Sequence, residues 1–340
     1  MTAVTAGRST RGIVDLVFRA RELSIVAALA VLVAVTAGTN GNFLSAQGLK
    51  DIFLNASILA LLAVGQSFVI ITRNIDLSVG SVVGLVAFTV GDVLAADHGL
   101  GVGVAIVLGI VIGGVCGLVN GLLVSFGRVP ALVVTLGTLY IIQGLDHAIA
   151  HGRQINAVDL PESVLSLGNG SVLGIPYLPL IAVIVMLAVG YYLRSYASGR
   201  DFYAIGSSPE AAGLAGVPVR RRVMAAYLLS GGLAGLAGVL WLARFGTVVA
   251  DDAHGWELQV VSAVVVGGVA ITGGVGTVYG AALGALLLTT ITSALVVLKV
   301  NPFWQQAITG ALLLLAISVD RLLALRVARI LRRRNARHGS

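Results

Sequence analysis

The sequence predicts an all-α, polytopic membrane protein with about ten transmembrane helices and both termini on the cytoplasmic side. Three observations carry this. First, 57% of the 340 residues are hydrophobic and only 11% are charged, against about 25% charged in a soluble domain, and the mean hydropathy is +0.99. Second, apolar runs of bilayer length recur between short polar breaks. Third, the basic residues collect in alternate breaks, the sidedness expected of cytoplasmic loops. The net charge of +7 is therefore read as topology, not as nucleic-acid binding. The 44 glycines fit as well, because glycine is commoner in membrane helices than in soluble ones.

Taken in order, residues 1–22 form a polar, basic cytoplasmic tail with no evident cleavable signal. The transmembrane domain occupies 23–320. Its first span, 23–38, is short for a bilayer that needs ~20 residues. Further spans are predicted over 53–72, 79–95, 102–125, 131–150, 174–193, 223–243, 258–272, 276–298 and 303–319. Between them, 151–173 and 244–257 read as exposed polar segments, and residues 321–340 as a basic cytoplasmic tail. With the N-terminus inside, the inner breaks fall at Arg73, Arg128, Arg194–Arg222, Gly273–Val275 and the C-terminal tail. Counting alone also admits nine or eleven spans.

Small residues recur in steps of four. Gly109, Gly113, Gly117 and Gly121 lie on one face of the fourth span, Gly276, Gly280 and Gly284 on the ninth, and Gly231 and Gly235 on the seventh. In lipid, helices associate through close backbone approach, which glycine permits. The runs serve either packing within one subunit or contact between subunits. A weak internal echo lays Val79-Gly80-Ser81-Val82-Val83-Gly84 on Val275-Gly276-Thr277-Val278-Tyr279-Gly280, and transporter folds often contain repeats.

The longest polar interruption of the C-terminal half is Arg194–Arg222. Within it Pro209 can open a short helix, because the first helical position needs no N–H donor. Glu210 then falls in the first turn, where the helix dipole favours a carboxylate. Gly213 and Gly216 weaken that helix, and Pro218 discourages its continuation. The second polar signal is Ile75-Asp76-Leu77-Ser78-Val79-Gly80-Ser81. Asp76 and Ser78 either cap the span that follows or belong to a helix break that lines a cavity. Asn74, Asp76 and Ser78 are the candidates to line such a cavity.

Asp92, Asp146 and His147 are ionisable residues near span ends, where solvated positions are expected, and there is no strong acidic set at mid-depth for an ion-driven carrier. No Gly-x-x-x-x-Gly-Lys-Ser/Thr loop is present, and no catalytic constellation or metal motif stands out. Cys116 is the only cysteine, so a disulfide framework and a cysteine zinc site are excluded.

Four stretches together resemble the permease subunits of bacterial ABC importers for monosaccharides, the group that includes ribose, xylose, rhamnose and autoinducer-2 permeases. They are Ile75–Ser81, Gly199-Arg200-Asp201-Phe202-Tyr203-Ala204-Ile205-Gly206, Glu210-Ala211-Ala212 with Gly216, and Gly267-Gly268 followed by Gly273–Gly280. The resemblance covers about residues 40–320. Glu210, Ala211, Ala212 and Gly216 match the first half of the motif by which importer permeases engage their ATPase, and the Ile-x-Leu-Pro part that follows in the general motif is missing. Arg73-Asn74 stands where a glycine pair commonly precedes Ile-Asp-Leu-Ser.

The resemblance implies a multi-pass protein of the bacterial inner membrane that is not itself an enzyme. It implies two cytoplasmic ABC ATPase subunits that hold ATP and magnesium, and a second permease subunit, either identical or a close homologue. It further implies an extracytoplasmic sugar-binding protein and surrounding membrane lipid. This chain is expected to hold no cofactor. The competing readings are an ion-coupled secondary carrier of a small polar solute and a membrane scaffold or receptor.

Overall fold

In a computed structural model the protein is described at residue 23, continuously over 25–301, and at eight scattered positions between 303 and 318. The two predicted tails and most of the tenth predicted span lie outside the described residues. The described fold is helical: α1 (Ile25–Thr39), α2 (Ala46–Ile71), α3 (Val79–Ala96), α4 (Val102–Ser125), α5 (Ala131–Ala150), α6 (Glu162–Asn169), α7 (Tyr177–Ser195), α8 (Ala197–Ser207), α9 (Pro209–Leu214), α10 (Val219–Phe245), α11 (Trp256–Val266) and α12 (Val278–Val297). A two-residue hairpin, β1 (Ser171–Val172) with β2 (Ile175–Pro176), precedes α7.

Seven of these helices, α2, α3, α4, α5, α7, α10 and α12, are long and apolar enough to cross a bilayer. The predicted eighth span is corrected. Its apolar run continues past residue 266, but the helix α11 has only 11 residues. At 1.5 Å per residue that is about 16 Å, roughly half a hydrocarbon core. Gly267 and Gly268 end it, and Gly268 takes φ 100°. The chain then runs without helix to Thr277, whose side chain accepts the Gly280 N–H and opens α12. The segment 197–207, inside the polar interruption 194–222, is not a loop but the helix α8.

The central helices are α2 and α10, and both are largely buried. They run antiparallel: Asp51 meets Arg244 at one end, where the ion pair spans 2.6 Å, and Gly65 lies over Ser230 further along. On its other side α10 packs against α4 by backbone. A Cβ on Gly113 would sit 2.7 Å from Gly235 Cα and closer still to the Gly231 carbonyl, and Gly117 and Gly109 stand in the same way over Tyr227 and Gly235. Gly276, Gly280 and Gly284 likewise face Val269, Gly267 and Ala263, which seats α12 on α11.

Candidate functional site

Two polar constellations stand out, at different levels of the bundle. The first joins three chain breaks. The α2–α3 break is turned by Arg73 at φ 66°. Its guanidinium donates to the carbonyls of Gly206 and Ser207, each at 2.5 Å. The Gly274 N–H donates to the Ile71 carbonyl at 2.9 Å. Tyr203 of α8 donates its hydroxyl to the Gly276 carbonyl at 3.1 Å. Burial, with the neighbouring Tyr279 phenol adding to it, pushes the Tyr203 hydroxyl up to about 12, so it keeps its proton and remains a donor.

No side chain fits where these backbones meet. A Cβ on Gly206 would collide with the Ile71 carbonyl and the Gly274 amide, and one on Gly274 would lie 2.7 Å from the Ser207 nitrogen. The break at 72–78, the end of α8 and the segment 267–277 therefore form one packed junction.

From this junction α9 projects. Ser208 caps it by accepting the Ala211 N–H at 3.3 Å, Pro209 occupies the first turn, and Glu210 follows it there. Gly216 leaves at φ 85°, which favours glycine. Ala212 is buried against the body, while Glu210, Ala211 and Gly216 are exposed. Leu214 is 92% exposed, a residue that reading by motif passed over. Beside it a groove of about 340 Å³ is lined by Phe126, Gly213, Val217, Pro218 and the bases Arg220 and Arg221. The Arg222–Asp201 ion pair, 2.8 Å, ties the start of α10 to α8.

Within the bundle, Asp76 and Ser78 are buried, each 1% exposed. Asp76 Oδ1 accepts the Ser78 N–H at 2.9 Å and its hydroxyl at 2.7 Å. Asn120 of α4 donates to Ser78 Oγ at 2.8 Å. Sequence separation hid Asn120, which sits in an otherwise apolar helix. Asn74 is half-buried and turns back to donate to Thr72. The Ile75 carbonyl accepts from Thr135 and Tyr227 at 3.3 and 3.4 Å.

The second constellation lies beyond the start of α3, toward the Asp51–Arg244 end. Residues 246–255 leave α10, pair Val248 with Ile155 through two 3.0 Å hydrogen bonds, and fold back into the bundle. They reach the first turns of α3. A Cβ on Gly80 would lie 2.9 Å from the Ala253 carbonyl, and one on Gly84 2.8 Å from the Asp252 carbonyl. A chamber of about 10 Å³ remains, with Ser81, Gln143, Asp146 and Asp252 among its walls. The Gln143 amide faces Asp251 at 3.4 Å and the His254 ring at 3.1 Å.

Asp146 is only 1% exposed, and its Oδ1 has no hydrogen-bond partner among the described residues. That corrects the solvated position expected for Asp146. His147 is exposed, and Asp92 is held by Arg153 at 2.8 Å. Among the described residues no group of three His, Cys, Asp or Glu side chains is placed to hold a metal ion.

Residues 48–317 match the family described as the permease component of branched-chain amino acid transport systems. The chain belongs to this family. Among curated proteins the permease is similar to the autoinducer 2 import system permease protein LsrC of three bacteria. With that of Enterobacter sp. (strain 638) it is 39% identical over 300 residues, 88% of this chain and 86% of the relative. With that of Klebsiella pneumoniae subsp. pneumoniae it is 40% identical with the same coverage. With that of Yersinia pseudotuberculosis serotype O:1b it is 37% identical over 312 residues, 92% of this chain and 88% of the relative. No solved structure matches the chain. The permease is thus a multi-pass inner-membrane subunit of the ABC-importer kind.

Proposed function

We propose that this permease carries a neutral, polyhydroxylated solute, a monosaccharide or a molecule like autoinducer-2, and that a separate cytoplasmic ATPase drives it. The observation that carries the coupling half is α9. This short capped helix presents Glu210, Ala211 and the bare Leu214 outward, with Gly216 exposed just past its end, while Arg73 and Gly274 fasten its root to the α2–α3 break. A helix so exposed and so rooted suits a groove on a partner. The cargo half rests on similarity to the autoinducer 2 permeases.

In this reading the junction end faces the cytoplasm, with both chain termini on that side, as Arg220, Arg221 and Arg222 at the start of α10 favour. ATP and magnesium bind to the ATPase subunits, not to this chain. ATP-driven closure of the two ATPases displaces α9, and the junction passes the displacement to α3 and α12. A second permease, identical or closely homologous, completes the membrane unit. A binding protein delivers the solute on the opposite face, and the solute passes near the break that holds Asn74, Asp76 and Ser78. An ion-coupled carrier would instead transport alone.

The test is assembly and uptake in proteoliposomes containing both permeases, the ATPases and the binding protein. Glu210→Arg and Leu214→Asp are expected to abolish ATPase co-purification and ATP-dependent sugar uptake while the melting temperature of the permease stays unchanged. Normal assembly and uptake by both variants would overturn the coupling role. Uptake by the permease alone under a proton or sodium gradient would establish the other mechanism.

A further inference from the structure

We infer that the chamber between α3, α5 and the 249–257 segment is a recognition point for a hydroxyl group of a neutral polyol, with Asp146 as its principal acceptor. The inference deepens the cargo half of the proposed function and rests on it.

The argument begins with an imbalance. Buried polar atoms are nearly always paired, because leaving one unpaired costs the full desolvation penalty. Asp146 is buried and its Oδ1 is unpaired among the described residues. The space it faces holds about 10 Å³, enough for one water-sized group. A hydroxyl has that size, and it supplies the donor the carboxylate lacks.

The remaining walls extend the same preference. Asp252 adds a carboxylate, Ser81 a hydroxyl, and Gln143 and His254 can each give or accept a hydrogen bond. None of the lining residues is Lys or Arg. A surface rich in acceptors and without cations suits a solute that donates through hydroxyls, and it repels phosphate or carboxylate. This matters because the family description speaks of branched-chain amino acids, each of which brings a carboxylate. The bareness of Gly80 and Gly84 lets the 249–257 segment close on α3 here, so backbone packing brings the acceptors to the chamber.

A test can use the full-length permease alone in nanodiscs. Trp256, at the end of the closing segment and 4.7 Å from Trp241 by ring centroids, supplies the fluorescence signal. The panel is ribose, xylose, rhamnose, deoxy analogues of each, leucine and ribose 5-phosphate. At least one neutral sugar is expected to bind, more tightly than a deoxy analogue of itself, while leucine and ribose 5-phosphate do not. Asp146→Asn, which keeps the side-chain volume, is expected to weaken the sugar by about tenfold or more and to erase the preference over the deoxy analogue.

Binding of leucine or the phosphate through Asp146, no binding by any sugar, or an unchanged preference in Asp146→Asn would each overturn the inference. ATP-dependent uptake in the reconstituted complex judges the proposed function separately. Sugar binding that depends on Asp146, without such uptake, would uphold this site and defeat that reading.

Discussion

The junction and the chamber make opposite use of buried polarity. At the junction the polar atoms that bridge the three breaks are matched. Arg73 answers two carbonyls, Gly274 answers Ile71, and Tyr203 answers Gly276. Glycines remove every side chain that would hold the backbones apart. The chamber instead leaves a carboxylate oxygen unanswered behind a closing segment. Matched groups gain nothing from a new ligand, so the junction suits the transmission of force. Unmatched groups are stabilised only when something arrives, so the chamber suits reception.

The comparison can be broken most violently at Gly206. Leucine there would drive a side chain into the Ile71 carbonyl and the Gly274 amide, which are backbone atoms that cannot swing aside. The expected loss is about 3 kcal/mol or more of stability, at the upper end for overpacking, read as a large drop in the melting temperature of purified permease. A fall of only a degree or two would mean that the three breaks are not packed as one body.

A subtler contrast sets two buried carboxylates side by side. Ser78→Ala removes the hydroxyl that Asp76 accepts and that Asn120 donates to. It should cost about 1–3 kcal/mol, the penalty for stranding buried partners. Asp146→Asn should do the reverse, leaving stability unchanged or raising it by up to about 1 kcal/mol, because it discharges an oxygen with no partner. Thermal melting of both variants in one detergent decides the point. Equal destabilisation by the two would show that the chamber is structural.

Much of this architecture was legible in the chain. The spans at 102–125 and 131–150 coincide with α4 and α5 to the residue, because glycine, proline and charge mark both ends of each. The short helix opening at Pro209 was readable because a first-turn proline and a first-turn acid are local signals.

What stayed hidden depends on distant neighbours. Hydropathy could not reveal that α11 stops at Val266, since Val269, Ala270 and Ile271 prolong the apolar run beyond the helix. The helicity of 197–207 escaped notice because its stabilising contacts, Phe202 against Phe68 and Gly206 against Ile71, come from α2. Asp146 looked solvated because the segment that covers it lies about a hundred residues downstream. Asn120 matters only because the fold lays α4 beside the α2–α3 break.

The seam between α4 and α10 has a mechanical corollary. Where backbone touches backbone there are no side chains to rearrange, so two such rods cannot slide or tilt past each other without opening a gap. They form a single strut, and α10 begins just after α9. In the proposed coupling, a pull on that short helix is carried along this strut.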